Sequence, residues 1–236
     1  MKTVLALLAL LAVTAWAQIK CGVQPSPDTA NSFQLLEDNE SYRVQRFDFD
    51  KDSRVSLTQH KNDFIVIALG EGLGLSSAND GHLEKLADGD VRFLERSTTE
   101  TLLHQGTTVA QAVVIALKQH WDTDVRPCAE PKSCSRPIRA GGREIGQSES
   151  LFTNGFLTAY RHRMDRGGTL STSYYSKNGT HHLMLVALDD LHANFEGTDQ
   201  ELRRGQVFGS DAGEVEVEAG AHAARWVVIR VELRKD

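Results

Sequence analysis

Three cysteines, a pair of adjacent histidines and three tyrosines stand out as the residues with chemistry to offer. Cys128 and Cys134 bracket Ala129-Glu130-Pro131-Lys132-Ser133, a turn-like segment able to bring two sulfurs together, and Cys21 lies near the N-terminus. A Cys128–Cys134 disulfide would tie off a short loop; the rival pairings use Cys21, and every pairing leaves one thiol over. No histidine or second cysteine pair sits at finger-like spacing around this loop, which argues against zinc there. His181 and His182 are neighbours, so on a strand they point to opposite faces and at most one enters an interior. Tyr160, Tyr174 and Tyr175 suit either a ligand pocket or plain core. Two reactive patterns are missing. No Gly-x-Ser-x-Gly elbow occurs. Gly70-Glu71-Gly72-Leu73-Gly74 is glycine-rich, but no helix pattern follows it to cradle a phosphate.

The compartment decides how the cysteines are read. Lys2 precedes an apolar run from Val4 to Val13, and Ala15-Trp16-Ala17 offers small residues for cleavage. This is a secretory signal, so residues 1–17 are expected to be removed and the protein exported to a periplasmic or extracellular space that permits disulfides. The run is shorter than the roughly 20 residues that a bilayer span needs, and no later one is longer, so no membrane-spanning segment is expected. Gln18-Ile19-Lys20 before Cys21 lacks the small residues of a lipidation site. The 236-residue chain carries a net charge of −6 with acids and bases intermixed, and without a basic stripe nucleic acid is not an expected partner.

The elements that must position these side chains are short and β-like. Residues 44–118 and 159–233 share a pattern. The first contains Gly89-Asp90-Val91-Arg92-Phe93, then Gly106, then Val113-Val114-Ile115-Ala116-Leu117; the second contains Gly205-Gln206-Val207-Phe208, then Gly220, then Val227-Val228-Ile229-Arg230-Val231. Such a repeat implies two copies of one small domain. Phe64–Leu69 and Leu183–Leu188 are apolar runs of strand length, and the first is closed by Gly70, as expected of buried strands. Asp88-Gly89-Asp90 is a hairpin signal. The chain therefore reads as all-β: a lead-in over 18–41, a first barrel over 42–118, a Pro- and Cys-containing linker over 119–149 and a second barrel over 150–236. Leu35 to Glu40 is the best helical candidate.

Each half resembles a cupin, the small jelly-roll barrel, and the whole resembles an exported bicupin. In cupins a first motif runs Gly, His-x-His, Glu, Gly, and a second opens with Gly-Asp, then a His and an Asn. Gly70 stands at the closing glycine of the first motif, and Gly89-Asp90 opens the second. The resemblance implies a divalent metal, Fe, Mn, Ni or Zn, held by three histidines and a glutamate. Carried onto this chain, those positions fall on His60, Asp63, Glu100 and His104, with Thr58 where another histidine would stand. In the second half His181 takes the place of Asp63, and Ser173-Tyr174-Tyr175-Ser176 replaces the His-x-His. With the ligand set so altered, the leading expectation is a non-catalytic barrel that binds a small molecule or a partner without a cofactor. The alternatives are a metal-dependent dioxygenase or isomerase using barrel 1, and a structural protein that assembles, for instance as a homodimer.

Overall fold

Alternation and glycine punctuation become twenty-one strands among the described residues. The computed structural model describes residues 23–24, 32–58, 62–96, 98–119, 125–128, 134–154, 156–173, 181–211 and 213–232. The first half supplies β1 (Val23–Gln24), β2 (Ser32–Asp38), β3 (Tyr42–Phe49), β4 (Arg54–Thr58), β5 (Asp63–Leu69), β6 (Leu73–Ser77), β7 (Leu83–Leu86), β8 (Val91–Leu94), β9 (Thr99–His104) and β10 (Ala110–Leu117). The second supplies β11 (Arg126–Pro127), β12 (Ser135–Ala140), β13 (Arg143–Thr153), β14 (Leu157–Met164), β15 (Thr169–Ser173), β16 (His181–Ala187), β17 (Leu191–Phe195), β18 (Thr198–Leu202), β19 (Val207–Ser210), β20 (Glu214–Glu218) and β21 (Ala224–Glu232). Among the described residues no helix is long and apolar enough to cross a membrane.

The duplication is explicit in the strand order. One sheet of barrel 1 runs β2-β3-β10-β5-β8, and its counterpart in barrel 2 runs β13-β14-β21-β16-β19. The facing sheets run β1-β4-β9-β6-β7 and β15-β20-β17-β18. All of these pairings are antiparallel, which gives two tandem jelly-roll barrels. Two segments read as connections belong to the barrels. β2 lies in the expected lead-in, pairs with β3, and turns the helical candidate Leu35–Glu40 largely into strand. β12 and most of β13 lie in the expected linker and extend the sheet of barrel 2. Exposure on their outer side leaves these edge strands without the apolar pattern that marks the central ones.

The central strands have no wet face. In β5, Phe64, Val66 and Ala68 fill barrel 1, while Ile65, Ile67 and Leu69 face barrel 2. β10 does the same with Ala112, Val114 and Ala116 inside and Val113, Ile115 and Leu117 outside. Opposite them stand Met184, Val186 and Leu188, with Val227, Ile229 and Val231 of β21. The described residues form one core in each barrel and another between them. Each large aliphatic side chain buried in the last is worth about 1.5–3 kcal/mol, so this layer dominates the attachment of the barrels.

Polar groups fix its alignment. The Asp88-Gly89-Asp90 turn packs against the outer face of barrel 2, and the equivalent Gly205 turn against that of barrel 1. Gly89 (φ +82°) lies under Leu188, and Gly205 (φ +78°) lies under Leu69; a Cβ at either would stand 3.1 Å from that leucine. Positive φ and close approach together explain why both repeats carry glycine here. Asp88 accepts hydrogen bonds from the Gly70 amide at 2.7 Å and the Arg225 guanidinium at 2.9 Å, and it pairs with Arg204. Asp189 holds the other side of Arg225, accepting from Nε at 2.8 Å. Burial opposes ionisation of Asp88, but the bonds from Arg204 and Arg225 outweigh it and hold the carboxyl below its usual value.

Replacing Asp88 by Asn should leave two guanidiniums short of charge. Solvent reaches all three side chains, so the cost should be about 1–2 kcal/mol rather than that of a fully buried pair. A folded-state pKa below the unfolded value of about 3.9 means this contribution is complete above that pH and is lost as pH falls through the lowered value. Urea unfolding of wild type and D88N at pH 7 measures the difference.

Candidate functional site

Of the residues suggested as metal ligands, Asp63, Glu100 and His104 lie among the described residues, apart from one another in the first barrel. His60 lies outside the described residues, as do Cys21, Tyr174 and Tyr175. Asp63 opens β5 on the same parity as Ile65 and Ile67, which faces away from the barrel interior, and its Oδ1 accepts the Arg96 amide at 2.8 Å. Glu100 and His104 share the interior face of β9 with Leu102, but four residues of strand, about 13 Å, separate them. A shared ion needs donors at about 2.0–2.2 Å. Asp63, Glu100 and His104 therefore do not fit a single ion, and among the described residues no group of three or more His, Cys, Asp or Glu is placed to hold one.

His104 instead closes one end of barrel 1. It is buried, and its Nδ1 lies 3.0 Å from the Asp50 carbonyl. A carbonyl only accepts, so Nδ1 is the donor here, and Nε2 lies on the other side of the ring. That nitrogen faces Gly106, where a Cβ would stand 2.6 Å away. Gly106 thus makes room for the imidazole.

Barrel 2 corrects the alignment of the halves by one residue. Leu183, Leu185 and Ala187 face its interior, so His181 shares the inward parity and His182 the outward one. Asp63 also has outward parity, which makes His182 its counterpart; a slip of one residue exchanges faces. His182 pairs with Asp211 and meets the Tyr42 ring edge-on at 5.5 Å. A further imidazole, His162, is buried on the inner face of β14, stacked 5.2 Å from Trp226 and 6.2 Å from Tyr160. Tyr160 is thus part of this aromatic group, packed against the core of barrel 2.

A wide opening lies between the barrels. It is a cleft of about 640 Å³ bounded by β8 and the mouth of barrel 1 on one side and by β11 and β13 on the other. Phe93, Leu94, Leu151 and Phe152 give it an apolar floor, with the Phe93 and Phe152 rings 5.7 Å apart. Cys128 and Cys134 form a disulfide at its rim, with Cα atoms 6.0 Å apart, as one of the pairings open to the sequence has it. The Cys128 amide also donates to the Leu151 carbonyl at 3.0 Å, tying the loop to β13. Arg161 crosses one end, bonded to Glu149 at 2.7 Å and donating to the Gly89 carbonyl at 3.0 Å. No local pattern marks Phe93, Leu151 or Arg161, because the cleft is built from strands of two repeats.

The sequence matches no family model and no curated protein. Solved structures, however, share the fold. A cupin 2 conserved barrel domain protein from Leptotrichia buccalis aligns with a TM-score of 0.54 at 11% identity, over 85% of this chain and 88% of its own. Protein Ylba from E. coli gives 0.65 at 8% identity over 91% and 88%. The 11S globulin of Wrightia tinctoria, described as revealing an auxin binding site, gives 0.64 at 12% identity over 91% and 83%. The architecture is that of the cupins, in the two-barrel form.

His162 has a measurable consequence. Burial pushes its pKa down to about 4, from an ordinary value of 6.5. The folded protein keeps the ring neutral where the unfolded chain takes up a proton, so stability should fall as pH drops from 6.5 to about 4. The loss should be on the order of 3 kcal/mol and complete below that window. Denaturant midpoints of wild type and His162→Phe at pH 7.5 and 4.5 test this; the variant should lose most of the difference.

Proposed function

We propose that this cupin-fold protein is a non-catalytic binding protein, and that its ligand occupies the cleft between the barrels. The observation that carries the reading is the contrast between filled barrels and an open junction. Phe49, Leu57, Phe64 and Leu102 pack the interior of barrel 1, and Leu185, Phe195 and Trp226 that of barrel 2. The cleft is concave, mainly apolar and of a size suited to a small molecule. Its walls come from the central fold and a disulfide-closed loop, so it is formed before any ligand arrives. No cofactor is part of this reading. Export to an oxidising compartment is also part of it, supported by the apolar N-terminal segment and the Cys128–Cys134 bond.

The test is capture of small molecules by purified mature protein, followed by native mass spectrometry and thermal shift. Leu151→Trp fills the cleft and should abolish both the captured mass and the shift, while circular dichroism stays unchanged. Retention of ligand by that variant would overturn the location. Metal analysis of the same preparation should find no stoichiometric Fe, Mn, Ni or Zn; finding one would favour a metal-dependent enzyme in barrel 1 instead.

A further inference from the structure

The charges around the cleft are unevenly satisfied. Four carboxylates, Asp90, Glu95, Glu100 and Glu149, line it against two guanidiniums, Arg92 and Arg161. Both cations are already engaged. Glu84 accepts from Arg92 Nε at 2.6 Å, and Glu149 accepts from Arg161 Nε at 2.9 Å and Nη2 at 2.7 Å. Asp90 adds a second carboxylate to each, at 3.9 Å and 3.6 Å. An arriving anion would have to displace one of these pairs.

Of the four, Glu95 and Glu100 have no cation beside them among the described residues; Glu95 is exposed, whereas Glu100 is half-buried. It sits at the mouth of barrel 1, with Leu57 as its cross-strand neighbour in β4 and Ser77 in β6. No cation pairs with it among the described residues. Burial pushes its pKa up, and so do the charges of Asp80 and Glu84, against a hydrogen bond from Ser77. With one hydroxyl donor, an apolar wall and like charges around it, this carboxylate lacks a positive partner among the described residues.

Building on the cleft as the ligand seat, we infer that it takes an amphipathic amine: an aromatic or aliphatic body lies along Phe93 and Phe152, and its ammonium is received by Glu100. The body gains from leaving water, and the ammonium restores charge balance at the mouth. Both groups belong to barrel 1 and its junction, so the halves are unequal in function despite equal folds.

The probes are 4-phenylbutylamine, 4-phenylbutanol and 4-phenylbutyrate, which share a body and differ in head group. Calorimetric titration of the mature protein should rank amine above alcohol above acid, with the amine at least tenfold tighter than the acid. Glu100→Gln should bring the amine to the level of the alcohol, and Leu151→Trp should remove all binding. Equal binding of the three probes, unchanged in E100Q but lost in L151W, would overturn the role of Glu100 and leave the cleft as the seat. Tightest binding of the acid would likewise overturn the amine. Binding of the amine that survives L151W would overturn the cleft itself.

Discussion

The apolar layer between the barrels is the constraint on which the rest of the structure depends. β5, β10, β16 and β21 bury one face inside a barrel and the other against the opposite barrel. Separating the halves would expose Ile65, Ile67, Val113, Ile115, Met184, Val227 and Ile229 together. At about 1.5–3 kcal/mol for each large side chain, that cost far exceeds what the charged bridges at the turns supply. Those bridges do a different job. Asp88 precedes Gly89 and Arg204 precedes Gly205, so equivalent positions of the repeat carry opposite charges and pair with each other. Two copies of the same half would bring like charges together there. The duplication has thereby become specific for its own partner half.

The cleft follows from how this layer ends. Twisted sheets packed face to face part company at their edges. Near β19, the Glu37 and Tyr42 side chains close over Gly209, and the Tyr42 hydroxyl donates to Glu37 at 2.6 Å. Near β8 the matching space stays open beside the disulfide loop, which barrel 1 lacks. One insertion and one pair of side chains make a near-symmetric junction asymmetric. The asymmetry leaves a half-buried carboxylate, Glu100, at the mouth of barrel 1, in one cleft with rings from both halves.

Much of the fold could be read from the residues because it rests on local rules. Continuous apolar runs marked β5, β10, β16 and β21, and turn glycines marked the hairpins. Edge strands were harder: β2, with Phe33 and Leu35 half-exposed, carries no burial pattern to separate it from a lead-in. Cupin spacing led to His60, Asp63, Glu100 and His104, of which the last three lie among the described residues. Parity turns Asp63 outward, while strand length carries His104 away from Glu100. Matching by spacing places residues along a chain but does not choose the face, and one residue of slip was enough to confuse His181 with His182.

The sequence by itself determined the β character, the duplication, the punctuating glycines and the set of available cysteines. These depend on backbone propensity and periodicity, which are local. Tertiary structure alone decided that the apolar runs serve two cores each, that Cys128 bonds Cys134, and that Asp88 meets Arg204 across 116 positions. It also decided that Arg92 and Arg161 are taken while Glu100 has no cation beside it among the described residues. Charge compensation is set by distances between side chains far apart in the chain, and such distances exist only once the two barrels have docked.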